Sequence, residues 1–277
     1  MAGFCQGGGV GKCIAEWIID GEPSIDVWAM DVARFGDYAS PQYGTIKSSE
    51  NYERRFIMTF PNETLPKGRK QKTTALYDRF INQGAVMGDS FGLENVLWFA
   101  NNKNDAFENP TIKRSRSHDY VSKEVINVRE NVGLIEVANF SKHEFKGPDA
   151  RKFLDHIMAG RLPKPGRISL SPMLSYRGKL CGDLTVACFD EDEFMVFGSG
   201  AAQEMHRRWF ESHLGKFNLN YTNRSDEFHG LSIAGPNSRK VLEKIVRDDV
   251  SNEKFKFRDS RRMFVGGVPA IINRISF

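Results

Sequence analysis

The chain has 277 residues, of which 40% are apolar and 27% charged, a balance typical of folded globular proteins that excludes an intrinsically disordered chain. Its net charge of +4 is spread along the sequence, which argues against a nucleic-acid-binding face. No uncharged apolar run reaches the roughly 18 residues of a membrane span, and the N-terminus does not resemble a secretory signal. We therefore expect no nucleic-acid partner and no membrane partner.

The N-terminal stretch 6–12 reads Gln-Gly-Gly-Gly-Val-Gly-Lys. A glycine-rich turn before a helix is typical of phosphate-binding loops, because glycine lets backbone N–H groups approach an anion. The alternative is a simple turn, since only residues 1–5 precede the run and a dinucleotide site needs a strand there. The apolar residues that follow, at 14, 15 and 17–19, predict a short buried helix ending at Asp20.

The next segments give weaker patterns. The run Lys67–Lys72 is basic and is interpreted as a solvated loop, with a nucleic-acid contact as the alternative. Leu76, Phe80 and Ile81 predict an amphipathic helix that ends at Gly84, and 95–100 predicts a strand. The polar segment 101–110 ends in proline and is the best candidate for a linker.

A repeat appears in the second half of the chain. The segments GPDARKFLDHI (147–157) and GPNSRKVLEKI (235–245) agree at six of eleven positions, and a strand-like run precedes each. This predicts two strand–helix units, although Gly-Pro followed by Asp or Asn is also a common helix start. Between them, 183–200 predicts two strands joined by an acidic turn, followed by a helix with Met205, Trp209 and Phe217 at helical spacing.

This order of elements predicts an α+β fold, with antiparallel sheets and helices on one face. The six histidines and four cysteines lack the spacing of a metal site, so no metal is expected, and the thiols are expected to be reduced, as in a cytosol-like compartment. No nucleophile elbow or P-loop is present in the sequence. Asp183 precedes an alternating strand and is a candidate for ligand binding, with a turn carboxylate that bonds its own backbone as the alternative.

Several motifs resemble one family in the family's own order. The segment GGGVGKCIAEWIIDGEPSIDVWAMDVARFG is similar to the junction between the FAD-binding and central domains of dimethylglycine and sarcosine dehydrogenases. TALYDRFINQGAVMGDSFGLENVLWFA resembles the end of that central domain. The region from VINVRENVGLIEVANF through SPMLSYRGKLCGDLTVA, together with LSIAGPNSRKVLEKI and VGGVPAIINRISF, is similar to the folate-binding aminomethyltransferase domain of the glycine-cleavage T-protein.

The resemblance implies three regions and a fragment cut at both ends. Residues 1–31 would be the end of an FAD-binding domain, 32–110 the central domain, and 111–277 the N-terminal part of the folate-binding domain. The implied activity is oxidative demethylation of a small N-methyl amine with FAD, followed by transfer of the one-carbon unit to tetrahydrofolate. The isolated fragment would be inactive. The expected location is cytoplasmic, or the mitochondrial matrix in a eukaryote.

The resemblance also assigns residues. It makes Asp183 the carboxylate that faces the folate amine nitrogens, and Phe277 an aromatic wall where the family commonly has tyrosine. Met173 and Leu174 would line the folate pocket, with ordinary core packing as the alternative. For FAD, the remnant of the site would be Gly7, Gly8, Gly9 and Val10.

Two alternative functions share this fold. A regulatory subunit of pyruvate dehydrogenase phosphatase has the same domain order but is a noncatalytic, partner-binding protein. A folate-dependent demethylase or aminomethyltransferase, such as a dimethylsulfoniopropionate demethylase, has the folate fold without a flavin domain. Retention of Asp183 favours the enzyme over the regulatory subunit, and residues 1–110 argue against the demethylase.

Overall fold

The computed structural model describes residues 3–61 and 63–275. Its α-helices are α1 (Gly3–Asp20), α2 (Pro41–Glu53), α3 (Tyr77–Asn82), α4 (Ser117–Glu130), α5 (Ala150–Ile157), α6 (Gln203–Leu214) and α7 (Ser238–Leu242). Its strands are β1 (Ala85–Ser90), β2 (Leu93–Phe99), β3 (Gly133–Glu136), β4 (Ser141–Lys146), β5 (Arg167–Leu174), β6 (Leu180–Asp190), β7 (Glu193–Gly198), β8 (Asn220–Asn223), β9 (Leu231–Ala234), β10 (Ser260–Val265) and β11 (Val268–Asn273). The predicted α+β class is confirmed, since every strand pair within the sheets is antiparallel.

The N-terminal region differs from the prediction. The glycine run lies inside α1 rather than in a turn, and none of its glycines has a positive φ. The apolar residues after it are helical as predicted, but the helix is not buried: only Cys13 is, while Ile14 and Ile18 are 51% and 79% exposed. Spacing of apolar residues indicates which face of a helix can be buried, but burial also needs a second element against that face.

The basic run 67–72 is held by acidic partners. The Lys67 side chain pairs with Glu53, the Arg69 guanidinium with the buried Glu94 of β2, and Lys72 Nζ lies 3.0 Å from Asp226 Oδ1. The run therefore ties α2, β2 and the loop after β8 together. It is a set of ion pairs within the protein rather than a freely solvated loop.

The helix and strand predicted between 75 and 110 are confirmed, whereas the linker predicted at 101–110 stays a prediction. Helix α3 is followed by Gly84, whose φ of +86° is one that L-residues rarely adopt, and β2 covers most of the predicted strand. Strands β1 and β2 form a hairpin, and Trp98 packs on Tyr120 of α4 with ring centres 4.9 Å apart. Residues 101–110 carry only a short 3₁₀ turn, and Glu108 accepts a hydrogen bond from Trp98 Nε1.

A five-stranded antiparallel sheet dominates the second half, in the order β5-β6-β7-β4-β8. Strands β4, β6, β7 and β8 with helices α5 and α6 give the split β-α-β arrangement, and β5 adds a strand at the edge. Helices α5 and α6 pack on one face, as predicted. The main core under these helices contains Phe145, Phe153, Leu184, Val196 and Phe210, all fully buried.

The two predicted strand–helix units are also present. Strand β4 leads through Gly147 into α5, and β9 leads through Gly235 into α7. In both turns the first residue of the helix donates its backbone N–H to the carbonyl oxygen of the glycine. The N–O distances are 2.9 Å in the first turn and 3.0 Å in the second. Both glycines have positive φ, +136° and +112°, and a Cβ on either would meet backbone atoms within 3 Å. The shared motif therefore encodes a tight turn.

Helix α6 ends earlier than the spacing of apolar residues predicts. It stops at Leu214, so Phe217 lies beyond it. Its buried side chains are His206 and Phe210, whereas Met205 and Trp209 are half-buried. The remaining strands form two small sheets, β3 with β9 and β10 with β11. Within the described ranges, no helix has the combined length and hydropathy needed to cross a membrane.

Candidate functional site

Asp183 lies near the start of β6, opposite Pro172 of β5. Its side chain is exposed, and none of the hydrogen bonds among the described residues includes its carboxylate. A turn carboxylate bonded to its own backbone, the alternative at this position, is therefore not what the structure shows. The result is a charged acceptor with free lone pairs, held on a rigid strand.

The alternation of the strands separates the two predicted wall residues. Pro172 and Leu174 share the sheet face of Asp183, because side chains two apart point the same way. Leu174 is 38% exposed. Met173 points to the opposite face, where it is fully buried in the main core. The structure thus places Leu174 on the same sheet face as Asp183 and Met173 behind the sheet, among core residues.

The sheet face that carries Asp183 is only partly covered. At one end, Ile168, Ala187 and Met195 pack with Phe228 and Ile271 and are buried. At the Asp183 end, Leu170 is 64% exposed, and it lies opposite Thr185 of β6. An open apolar surface beside a free carboxylate has the chemistry to hold a flat ring that carries N–H donors.

The other predicted site residues lie elsewhere. Gly7, Gly8 and Gly9 are exposed within α1, and a Cβ on any of them would meet no atom within 4 Å. Val10 is half-buried in the same helix. A phosphate cradle brings backbone close to its ligand, so these helical residues do not fit one. Phe277 lies outside the described residues.

A small, open pocket with a cavity volume of about 20 Å³ lies away from Asp183, between the β1–β2 hairpin and the loops at 138–140 and 225–226. Lys72 and Asp226, which are paired with each other, lie at its wall. None of the predicted site residues that the structure describes lines it.

Sequence reasoning missed a group of buried titratable residues in β4 and α6. The Lys142 ammonium donates to the carbonyl oxygens of Ala138 and Phe140 over 2.9 and 2.6 Å, and burial lowers its pKa to about 8. Burial lowers the pKa of His143 to about 3 and also lowers that of His206. The alternation in β4 could have signalled His143, which shares a face with Phe145. In residues 3–61 and 63–275, no cluster of three or more metal-ligating side chains occurs.

Comparison with known protein families matches two models to this chain. The GCVT N-terminal domain matches residues 76–277, and the FAD dependent oxidoreductase central domain matches residues 20–74. The order of the two domains agrees with the resemblance seen in the sequence. The two matches meet at residue 75, while the boundary predicted at 110–111 stays a prediction.

Two curated relatives and one solved structure extend this comparison. Dimethylglycine dehydrogenase from Mus musculus is 33% identical over 99% of this chain, and sarcosine dehydrogenase from Homo sapiens is 26% identical over all of it. These matches cover 32% and 35% of the relatives, so the chain spans about a third of their length. The aminomethyltransferase T structure from Bartonella henselae matches 74% of this chain and 50% of its own, with a TM-score of 0.59 at 20% identity. That likeness shows the fold.

Proposed function

The chain belongs to the GCVT N-terminal domain family, among the dimethylglycine and sarcosine dehydrogenases, and from this premise we propose that it is the folate-binding part of a flavin-dependent N-methyl amine dehydrogenase. The whole enzyme would oxidise a small N-methyl amine and pass the one-carbon unit to tetrahydrofolate. The observation that carries the proposal is the free Asp183 carboxylate on an open, apolar sheet face, in a chain of this family.

Asp183 would orient the folate. Its carboxylate can accept hydrogen bonds from ring or linker N–H groups, and charged acceptors make the stronger hydrogen bonds. Leu174 and, four residues away along β5, Leu170 would supply apolar wall, while Met173 would support β5 from the core side. Tetrahydrofolate, when bound, supplies the nitrogen nucleophile that captures the one-carbon unit. The contribution of Phe277 stays a prediction.

For FAD, the chain offers no fitting residues in α1. The glycine run is helical and exposed, so it does not form a phosphate cradle for the flavin. The residues that bind the flavin would lie in the parts of the enzyme that correspond to the unmatched two thirds of the relatives.

Titration of the full chain with tetrahydrofolate, followed by calorimetry, tests the role of Asp183. We expect Asp183→Asn to weaken binding about tenfold, since a charge-assisted hydrogen bond becomes a neutral one. Asp192→Asn is the matched control, because Asp192 is an exposed acid at the other end of the β6–β7 hairpin. Equal affinities for both variants would remove Asp183 from the site, and no binding by the unaltered chain would count against the folate proposal itself.

The regulatory alternative is less well supported than the dehydrogenase. The chain retains the free carboxylate at 183 and matches dimethylglycine dehydrogenase at 33% identity. The matched dehydrogenases are mitochondrial proteins. For this chain we propose the same compartment in a eukaryotic cell and the cytoplasm in a bacterial one.

A further inference from the structure

Strand β6 contains a β-bulge just before Asp183. Leu174 of β5 lies opposite Leu180, whereas the preceding residue of β5 lies opposite Gly182. Cys181 is therefore an extra residue in β6, and within the described strands it has no partner on the other side either, since the β6–β7 ladder begins further along. A bulge bends its strand, raises the local twist and is common beside functional sites. The course of the strand at Asp183 thus depends on how this bulge is held.

A side chain of α6 holds the bulge residue. His206 Nε2 lies 3.2 Å from the carbonyl oxygen of Cys181, and because a carbonyl oxygen can only accept, Nε2 is the donor. Burial lowers the pKa of His206, so the ring is neutral and its one N–H is on Nε2. The residue is 2% exposed, so water does not compete for this hydrogen bond. The carbonyl group of the bulge is thereby tied to a helix of the core.

Two glycines make room for the His206 ring. An added Cβ at Gly182 would lie 2.8 Å from His206 Nε2, and one at Gly198 would lie 3.0 Å from His206 Nδ1. The same added atoms would lie 3.3 Å and 2.7 Å from side-chain atoms of Leu184, so the ring and this leucine together fill the space over both glycines. Close packing leaves a buried ring little freedom. Packing therefore fixes the imidazole where it can bond the bulge.

The bulge decides which face of β6 carries Leu180. Residues directly opposite each other in an antiparallel pair share a face, so Leu180 lies on the face of Leu174, which is also that of Asp183. In a regular strand Leu180 and Asp183 would lie on opposite faces, because they are an odd number of residues apart. Leu180 is 64% exposed. The extra residue thus adds an apolar side chain to the sheet face proposed for folate.

We propose that His206 is a positioning residue for the folate site, which holds the bulge at Cys181 and thereby the placement of Asp183 and Leu180. The inference rests on the proposed function, because these two side chains matter only if that face binds folate. His206 acts through the backbone, since its ring packs over Gly182 on the core side of the sheet. A bulge whose carbonyl is released can shift along the ladder, and a shift by one residue turns a side chain to the other face.

Calorimetric titration of the full chain with tetrahydrofolate tests this role. His206→Phe keeps a ring but removes the donor, and we expect it to weaken binding about tenfold. His206→Gln restores an N–H donor and should bind within about threefold of the unaltered chain. The matched control is His143→Phe, since His143 is a buried imidazole of β4 that bonds the Tyr221 hydroxyl, and it should change the affinity by less than about twofold. Equal losses for the two phenylalanine variants, or no rescue by glutamine, would overturn the proposal.

Amide hydrogen exchange without folate separates this inference from the proposed function. If His206 holds the bulge, the backbone amides of 180–184 should exchange faster in His206→Phe than in His143→Phe, and equal rates would overturn the inference. Gly182→Ala keeps the imidazole but displaces it, so it should also speed exchange and weaken binding, which preserves the test if His206→Phe does not fold. If the unaltered chain binds no tetrahydrofolate, the proposed function fails and the folate role of His206 fails with it, whereas the exchange rates still decide whether His206 holds the bulge.

Discussion

Helices α1 and α5 show how differently two regions of the chain use apolar residues. In α5, Phe153 and Leu154 are fully buried against the five-stranded sheet. In α1, Ile14, Ile18 and Ile19 also fall at helical spacing, yet they are 51%, 79% and 79% exposed. The same kind of pattern thus has two outcomes, and what separates them is whether another element lies against the apolar face.

This difference has an energetic consequence. Apolar side chains contribute to stability in proportion to the area that folding removes from water. The sheet layer between 141 and 223 should therefore contribute more to stability than α1 does. Substituting the same residue type in each region should therefore change the free energy of unfolding by clearly different amounts.

The largest contrast is expected for phenylalanine. Phe145 is fully buried and packs on Phe153, Phe210 and Tyr221 with ring centres 5.1 to 5.4 Å apart. Phe145→Ala should lower the free energy of unfolding by about 3 to 5 kcal/mol, through lost burial and a residual cavity. Phe4 of α1 is fully exposed, so Phe4→Ala should leave the free energy of unfolding nearly unchanged. Urea denaturation measures both, and a similar loss for the two variants would contradict the contrast.

Replacing glycine by alanine should change stability by an intermediate amount, with opposite signs in the two regions. Gly147 has a φ of +136°, and an added Cβ would lie 2.8 Å from Leu219 Cα, so Gly147→Ala should cost about 2 kcal/mol. Gly7 lies in an α-helix with open space around it, so Gly7→Ala should stabilise α1 by about 1 kcal/mol. Urea unfolding measures the first change and helical circular dichroism the second. A loss of helix in Gly7→Ala would show that residue 7 is not helical in solution.

The buried His143 of the sheet layer should also make stability depend on pH. Burial lowers the pKa of His143 from an ordinary 6.5 to about 3. Between these values the unfolded chain binds the extra proton, so stability falls as the pH drops, by at most about 1.4 kcal/mol per pH unit. His143→Gln should make this slope shallower between pH 6.5 and 5, above the range in which most carboxylates titrate. His118→Gln, which alters an exposed histidine of α4, should keep the slope of the unaltered chain.

Local sequence patterns predicted best those helices and strands that are bounded by turn-forming residues. The two Gly-Pro motifs predicted both strand–helix units, because their glycines occupy turns that other residues cannot enter. The acidic turn at 190–192 predicted the β6–β7 hairpin. By contrast, the glycine run in α1 was misread, since glycine permits a turn but does not require one.

The candidate site was only partly predictable. The sequence pattern before an alternating strand and the family resemblance both point to Asp183. They do not show that its carboxylate makes no hydrogen bond. Met173 and Leu174 are adjacent in sequence, and only the register of β5 against β6 shows that they face opposite sides of the sheet. The contact of His206 Nε2 with the Cys181 carbonyl oxygen joins distant parts of the chain, so no local pattern predicts it.

By itself, the sequence determined the α+β class, the tight glycine turns and the family, because each depends on residues that are close together along the chain. Tertiary structure decided which apolar faces are buried, which side of the sheet holds Asp183, and which buried polar atoms meet. Burial and hydrogen bonding depend on what packs against a residue across space, and that neighbour is set by the fold rather than by adjacent residues.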